Sequence, residues 1–181
     1  MPSYTYEYPR PALTVDIVIF SIREDRLNIL LILRGREPYL GKWALPGGFV
    51  NIDESLVSAA SRELEEETGI KEVLLKQLFT FGDPGRDPRG RVVTVSYYSI
   101  IHQDMQIQIS SGSDANQANW FQIDKLPPLA FDHDKIISYA LKMIQNNLED
   151  TITEFDLIPD NLTSNTLQQL YKIVRGKKLE K

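Results

Sequence analysis

The chain has 181 residues, 42% hydrophobic and 25% charged, with a net charge of -5, which suits one globular domain with an appendage. It has no cysteine, so disulfides and thiolate metal sites are excluded and a metal site would rest on oxygen ligands. The acidic balance argues against broad nucleic-acid binding, and the absence of a signal-peptide pattern or of an apolar run near the roughly 18 residues of a membrane span predicts a cytoplasmic protein.

The predicted elements alternate between strands and helices. Residues 1–12 contain three tyrosines and three prolines and form either an extended arm or a disordered leader. Alternating and β-branched runs predict strands at Leu13–Ile22, Leu27–Leu33, Glu72–Phe81, Val92–Ile101, Met105–Ile109 and Trp120–Ile123. The first two form a hairpin, and helical spacing predicts a closing helix over Asp132–Leu148. This order indicates an α+β or α/β/α arrangement around a mixed sheet.

The most informative stretch is residues 48–70, a glycine turn followed by one helix. Asn51 or Asp53 is predicted to cap the helix, and Glu54 stands three residues after Asn51, as in a capping box. An apolar stripe at four-residue spacing faces a core, and Gly69 stands where a left-handed cap ends a helix. The helix is therefore expected to run from about Glu54 to Thr68.

Three carboxylates lie on one face at the end of this helix. Glu63, Glu66 and Glu67 stand at i, i+3 and i+4, where like charges repel each other and the helix dipole disfavours anions. Most charge runs are solvated faces. A hard divalent cation such as Mg²⁺ prefers carboxylate oxygens and would reverse both penalties, so a metal site is the stronger interpretation.

The same stretch resembles the Nudix box, in which a glycine and a glutamate precede an Arg-Glu-apolar-x-Glu-Glu-x-Gly-apolar run. The fixed places are filled by Gly48, Glu54, Arg62, Glu63, Leu64, Glu66, Glu67, Gly69 and Ile70. The resemblance implies an α/β/α sandwich over residues 13–148 and a hydrolase that uses Mg²⁺ or Mn²⁺. It implies metal binding by the Gly48 carbonyl, Glu63, Glu66 and Glu67. Arg62 is expected to orient the glutamates, and Glu54 is either a cap or an outer ligand.

Two further segments are similar to Nudix enzymes that act on ADP-ribose and to regulators related to them. They are the loop at residues 82–91 and the run at residues 129–133 before the closing helix. On this resemblance Arg86 and Arg89 contact phosphate, Asp87 contacts ribose hydroxyls and His133 borders the adenine. Arg34, which ends the second strand, is predicted to bind the substrate, whereas Arg36 is left open between substrate and surface. Trp43 and Trp120 are expected in the core.

One departure concerns the general base. The ADP-ribose branch commonly carries an acid near the place of Gln117, and Asp114 is the acid present in this segment. If that loop supplies the base, hydrolysis is slow here, or Glu66 or Glu67 takes the role.

The sequence favours a metal-dependent hydrolase, most simply one that cleaves ADP-ribose to AMP and ribose 5-phosphate, and a homodimer is expected. The alternative is a regulator that senses ADP-ribose or a sugar metabolite through the same domain. Residues 149–181 resemble the opening helix of the winged helix fused to such regulators, as a remnant, an incomplete start, or a helix packed on the core or a partner. Residues 172–181 contain five basic residues and one acidic residue, a net charge of about +4. Since the whole chain has a net charge of -5, the rest of the chain has a net charge near -9. Without a recognition helix, no sequence-specific DNA binding is expected.

Overall fold

The computed structural model describes residues 7–101, 107 and 115–149. Within these residues the chain forms seven strands and two helices. The strands are β1 (Ala12–Arg23), β2 (Arg26–Arg34), β3 (Trp43–Ala44), β4 (Gly47–Phe49), β5 (Lys76–Phe81), β6 (Val92–Ile101) and β7 (Ala115–Gln122). The helices are α1 (Leu56–Thr68) and α2 (His133–Glu149).

All seven strands join one mixed sheet. The main path is β3-β2-β1-β6-β5, with β4 paired to β1 and β7 paired to β2. The β1–β6 pairing is parallel and extends from Ala12↔Val92 to Ser21↔Ile101, while the other strand pairs of the sheet are antiparallel. The central strands β1 and β6 are buried along most of their length, which explains their mostly apolar and β-branched sequences.

The first hairpin shows how local sequence sets this arrangement. Glu24 and Asp25 have φ angles of 50° and 55°, and two consecutive positive φ values define a type I′ turn, whose twist matches that of paired strands. Arg23 pairs with Arg26 directly across this turn. The predicted hairpin is therefore confirmed.

The sheet lies between two apolar layers. On one face α2 contributes Ile136, Ile137, Ala140 and Ile144 to a core shared with β1, β2 and β6. On the other face α1 contributes Ala59, Ala60 and Leu64 to a second core. The predicted α/β/α sandwich is confirmed, and both tryptophans pack against these cores as expected.

Several element boundaries differ from the predictions. The N-cap of α1 is Ser55, whose hydroxyl accepts the Ser58 amide at 3.2 Å, so the prediction of Asn51 or Asp53 was wrong. Half of the expected capping box exists one turn earlier, where Glu54 Oε1 accepts the Asn51 amide at 2.7 Å. The strand predicted from Glu72 starts only at Lys76, and the one predicted from Trp120 already starts at Ala115.

Two predictions fall largely outside the described part of the chain. Met105–Ile109 contains only one described residue, Ile107, and the appendage after residue 149 lies beyond it entirely. The limits proposed for the arm, the domain and the appendage stay predictions. No helix in residues 7–101 or 115–149 is both long and apolar enough to cross a membrane.

Candidate active site

The ten residues predicted to bind metal or substrate or to act in catalysis line one pocket of about 340 Å³. The structure thus brings together residues from five separate segments. They are Arg34, Gly48, Arg62, Glu63, Glu66, Glu67, Arg86, Asp87, Arg89 and His133. Their individual roles stay predictions.

The glycine turn lets α1 approach β1 closely. Gly47 has a φ of 155°, and a Cβ there would lie 2.2 Å from the Val15 carbonyl oxygen. A Cβ on Gly48 would lie 2.4 Å from Glu63 Oε1. The Gly47 amide donates to Glu67 Oε2 at 2.9 Å. Only glycine leaves room for two carboxylates against this turn.

Arg62 is the cation at the centre of the acidic cluster. Its guanidinium contacts Glu54 Oε1 and Glu63 Oε1, each at 2.7 Å, and Glu66 Oε2 at 3.4 Å. It also donates to the Phe49 carbonyl at 3.1 Å. The hydrogen bonds from Arg62 lower the pKa of Glu54 to about 2, and Glu54 in turn raises the pKa of Arg62. The ion pairing expected of Arg62 is present.

The three candidate metal ligands differ in their surroundings. Burial raises the pKa of Glu63 despite the hydrogen bond and the charge of Arg62. The Glu66 side chain is 55% exposed, whereas Glu67 is buried against the glycine turn. Among the described residues no three acidic or histidine side chains converge on a preformed metal site, since Arg62 holds Glu63 and the Gly47 amide holds Glu67.

The chemistry of the pocket nevertheless fits a divalent cation. Five carboxylates and four arginines line it, so the lining is negative before any ligand enters. A diphosphate would add further negative charge, and a hard cation bound by carboxylate oxygens relieves this repulsion.

The loop at residues 82–91 supplies Asp87 and Arg89. Both Asp87 oxygens accept from the Arg89 guanidinium, at distances down to 2.6 Å. Burial tends to raise the pKa of Asp87, but these hydrogen bonds outweigh it and the net pKa is lowered. The guanidinium carbon of Arg89 also lies 4.9 Å from the ring centre of Phe49 and 5.6 Å from that of Phe131, at the mouth of the pocket.

Arg34 contacts the same aromatic ring as Arg89. Its guanidinium carbon lies 4.8 Å from the ring centre of Phe131, and its Nε donates to the Pro38 carbonyl at 2.8 Å. Phe131 has a φ of 52°, an uncommon value for a bulky residue and one typical of functional sites. Two arginines therefore contact one aromatic ring in the pocket wall.

A buried network lies beneath these exposed groups. Arg86 donates to both oxygens of Asp132, at 2.7 and 3.1 Å, and to Asp16 Oδ2 at 3.3 Å. His133 Nε2 lies 3.4 Å from Asp16 Oδ1, and His133 Nδ1 accepts the Leu45 amide at 2.8 Å. All four side chains are buried. Burial lowers the pKa of His133, which keeps the imidazole neutral.

The sequence did not single out the two aspartates of this network. Asp16 interrupts the apolar strand run around Val15 and Ile17, and a charge inside such a strand requires a partner. That rule could have marked Asp16, but it could not have named Arg86. Phe49, which lines the pocket, was also missed. Gln117 lies exposed on β7, and Asp114 is outside the described residues.

Comparisons with known proteins agree with this geometry. The model of the NUDIX domain family matches residues 10–140. An ADPR responsive transcriptional repressor, NtrR, of Acinetobacter baylyi is 40% identical over 97% of this chain and 71% of its own length. An ADP-ribose pyrophosphatase of Methanocaldococcus jannaschii is 41% identical over 72% of this chain and 73% of its own.

One of the similar solved structures contains a bound ligand. The NUDIX domain of Shewanella oneidensis NrtR, complexed with ADP ribose, superposes with a TM-score of 0.71 at 35% identity, covering 76% of this chain and 90% of that one. The sequence motif, the sandwich, the family model and these relatives all agree. This chain belongs to the NUDIX domain family.

Proposed function

We propose that this protein is a divalent-metal-dependent hydrolase that converts ADP-ribose and water to AMP and ribose 5-phosphate. The observation that carries the proposal is the convergence of Glu63, Glu66 and Glu67 with Arg34 and Arg89 in one pocket. Carboxylates suit a metal, arginines suit a diphosphate, and phosphoryl transfer depends mainly on positioning and charge neutralisation. The relative that is an ADP-ribose pyrophosphatase supports the choice of substrate.

Glu63, Glu66, Glu67 and the Gly48 carbonyl would hold Mg²⁺ or Mn²⁺. Bound there, the ion would supply Lewis-acid activation of the diphosphate and of water. Arg62 pairs with Glu63 at 2.7 Å and orients this carboxylate, and its positive charge opposes the effect of burial on the pKa of Glu63. The Gly47 amide fixes Glu67, so the chain itself orients two of the three ligands.

The pocket must also bind the substrate and accept a proton. The water oxygen bonds to one phosphorus, the bridging P–O bond breaks, and a carboxylate takes the water proton. Glu66 is better placed for this than Glu67 because its side chain is half exposed, whereas one Glu67 oxygen already accepts the Gly47 amide. Arg34 and Arg89 lie over Phe131 in the pocket lining, and their guanidinium groups suit phosphate oxygens.

A nucleotide panel tests the proposal. The protein is incubated with ADP-ribose, other nucleoside diphosphate sugars and dinucleotides, with Mg²⁺ or Mn²⁺, and nucleotide release is measured. AMP release should be greatest with ADP-ribose and should stop in excess EDTA. Full activity in EDTA would contradict the metal site, and the absence of hydrolysis across the panel would contradict the enzyme.

A second candidate function is a regulator that binds ADP-ribose. One observation favours it: the relative that is a transcriptional repressor aligns over 97% of this chain, well beyond the matched domain at residues 10–140. A gel shift with genomic fragments, run beside the AMP-release assay on one preparation, separates the two. We expect AMP release and no sequence-specific shift at physiological salt. A specific shift without AMP release would establish the regulator.

We further propose that the protein forms a homodimer and acts in the cytoplasm. Light scattering after size-exclusion chromatography tests the dimer, and fluorescence microscopy of a tagged chain tests the location. Deleting residues 150–181 should leave hydrolysis intact unless this segment contributes to the dimer interface, and light scattering on the shortened chain distinguishes these outcomes.

A further inference from the structure

Three distant segments of the chain meet at the carboxylate of Asp16. Arg86 reaches one oxygen from the loop at residues 82–91, and His133 approaches the other from the start of α2. The glycine turn lies against the same residue, because Asp16 pairs with Gly47 in the β1–β4 register. Asp16 is thus the one residue of this network that touches the loop, α2 and the turn.

The imidazole of His133 links Asp16 to the segment just before the glycine turn. Its Nδ1 accepts the Leu45 amide at 2.8 Å, so in the neutral ring the proton resides on Nε2, which faces Asp16. Pro46, which follows Leu45, accepts the Ile17 amide at 2.8 Å. These two hydrogen bonds therefore fix the chain just before Gly47 and Gly48.

Arg86 makes the corresponding connection for the loop. Its fork donates to both Asp132 oxygens, and a contact with Asp16 adds a second carboxylate to one guanidinium. The Arg86 side chain is only 4% exposed, compared with 40% for Arg89. Two carboxylates more than balance its charge, so little positive charge is left for a ligand.

We propose that Asp16 is a positioning residue that couples the loop at residues 82–91 to the glycine turn, and that Arg86 anchors this loop instead of binding the diphosphate. The kinetic test of this inference, a change in KM, rests on the proposed function. The structural test, amide hydrogen exchange, does not. The inference reassigns Arg86 from the substrate to the framework and leaves Arg34 and Arg89 as the phosphate-binding arginines.

The Asp16→Asn variant distinguishes the two roles of Arg86 by the sign of the effect. If Arg86 binds phosphate, removal of a competing carboxylate frees its charge and KM for ADP-ribose falls. If Arg86 anchors the loop, the loop loosens and KM rises, by about 10-fold from misplacement of binding groups. Asp134→Asn removes the same charge from an exposed residue of α2 and should change KM less than about twofold.

Amide hydrogen exchange provides a readout that needs no ligand. Asp16→Asn should accelerate exchange of the Leu45 amide and of the loop amides of Arg89 and Gly90, each by about 10-fold, because local opening requires breaking the same network. These amides donate to His133, to the Asp87 side chain and to the Asp87 carbonyl. Asp134→Asn should leave all three unchanged.

Each outcome decides the proposal. A lower KM, or unchanged KM and exchange, in Asp16→Asn would overturn it. If this variant does not fold, Arg86→Lys takes its place, because it keeps the charge and loses the fork; a raised KM with faster loop exchange supports anchoring, and a wild-type KM overturns it. If the wild-type protein does not hydrolyse ADP-ribose, the proposed function fails, while the exchange data still test the coupling.

Discussion

Two clusters in this pocket each place carboxylates around one arginine, but they differ in exposure. Arg62, with Glu54, Glu63 and Glu66, has a side chain 28% exposed to solvent, and the Glu66 side chain is 55% exposed. Arg86, with Asp16 and Asp132, is buried and cannot lose a partner without leaving a charge in the protein interior. The exposed cluster, together with Glu67 on the same helix, is therefore suited to chemistry and is called the chemical cluster. The buried cluster is suited to holding the framework and is called the framework cluster.

The largest expected effect breaks the chemical cluster. Glu67→Gln should lower turnover of ADP-ribose by about 100-fold or more, since loss of one anionic group at the reaction centre typically has this effect. Thermal unfolding should change little, because glutamine can still accept the Gly47 amide. The measurement is kcat by AMP release, beside a thermal melt of the same sample.

Glu65→Gln is the matched control for this change. Glu65 lies on the same helix but pairs with Lys71, at 2.6 Å, outside the pocket. Its turnover should equal that of the wild-type protein. Similar losses in both variants would show that helix charge in general, and not the pocket carboxylate, controls the rate.

The next effect compares the two arginines directly. Arg86→Ala should lower the free energy of unfolding by about 3 kcal/mol, because it leaves Asp16 and Asp132 buried without their cation. Arg62→Ala should lower it by only about 1 kcal/mol, because the Arg62 side chain is 28% exposed and its partner Glu66 is 55% exposed. Urea unfolding of both variants measures the difference. Equal losses would remove the distinction between a chemical and a framework cluster.

A smaller effect tests the turn on which both clusters depend. Gly47→Ala should destabilise the protein by about 2 kcal/mol, since its Cβ would collide with the Val15 carbonyl at 2.2 Å and its φ is 155°. Gly41→Ala is the control, because its φ of 74° is also strained but nothing lies within 4 Å of the added Cβ. It should cost about 1 kcal/mol. Urea unfolding in which Gly41→Ala costs as much as Gly47→Ala would contradict the collision.

The two clusters also differ in how far the sequence could predict them. Glu63, Glu66, Glu67 and Arg62 lie within one helical turn or two, so their spacing alone places them together. The contacts of Arg86 with Asp132 and Asp16 span 46 and 70 residues. Such contacts follow from the strand order and the path of the loop, which no local pattern specifies. The prediction that Arg86 contacts phosphate therefore rests on the family resemblance alone.

The fold shows the same division. Hydrophobic alternation and turn chemistry predicted the hairpin of β1 and β2 and the central strand β6. The predicted limits of α1 agree with the structure to within one turn, but its N-cap was misassigned because several capping residues precede the helix and Ser55, not Asp53, caps it. In this case Glu54, one residue before the cap, is engaged by Arg62 and the Asn51 amide, a tertiary contact that propensity does not include.

The smallest expected effect concerns the outer edge of the chemical cluster. Hydrogen bonding to Arg62 lowers the pKa of Glu54 in the folded protein to about 2, from 4.5. A carboxyl group whose folded pKa is depressed contributes stability above its unfolded pKa and loses it as the pH falls through the folded value. Glu54→Gln should therefore lower the free energy of unfolding by about 1 kcal/mol at pH 7, allowing for solvent screening at this rim position.

This difference should shrink as the pH falls from 4.5 towards 2, because the wild-type carboxyl becomes protonated there and resembles glutamine. Urea unfolding at pH 7, 4.5 and 3 measures it. Asp53→Asn removes the same charge from the exposed neighbouring residue and should leave stability within about 0.5 kcal/mol at each pH. A Glu54→Gln deficit that stays constant from pH 7 to pH 3 would mean that shape, not the ion pair with Arg62, makes Glu54 stabilising.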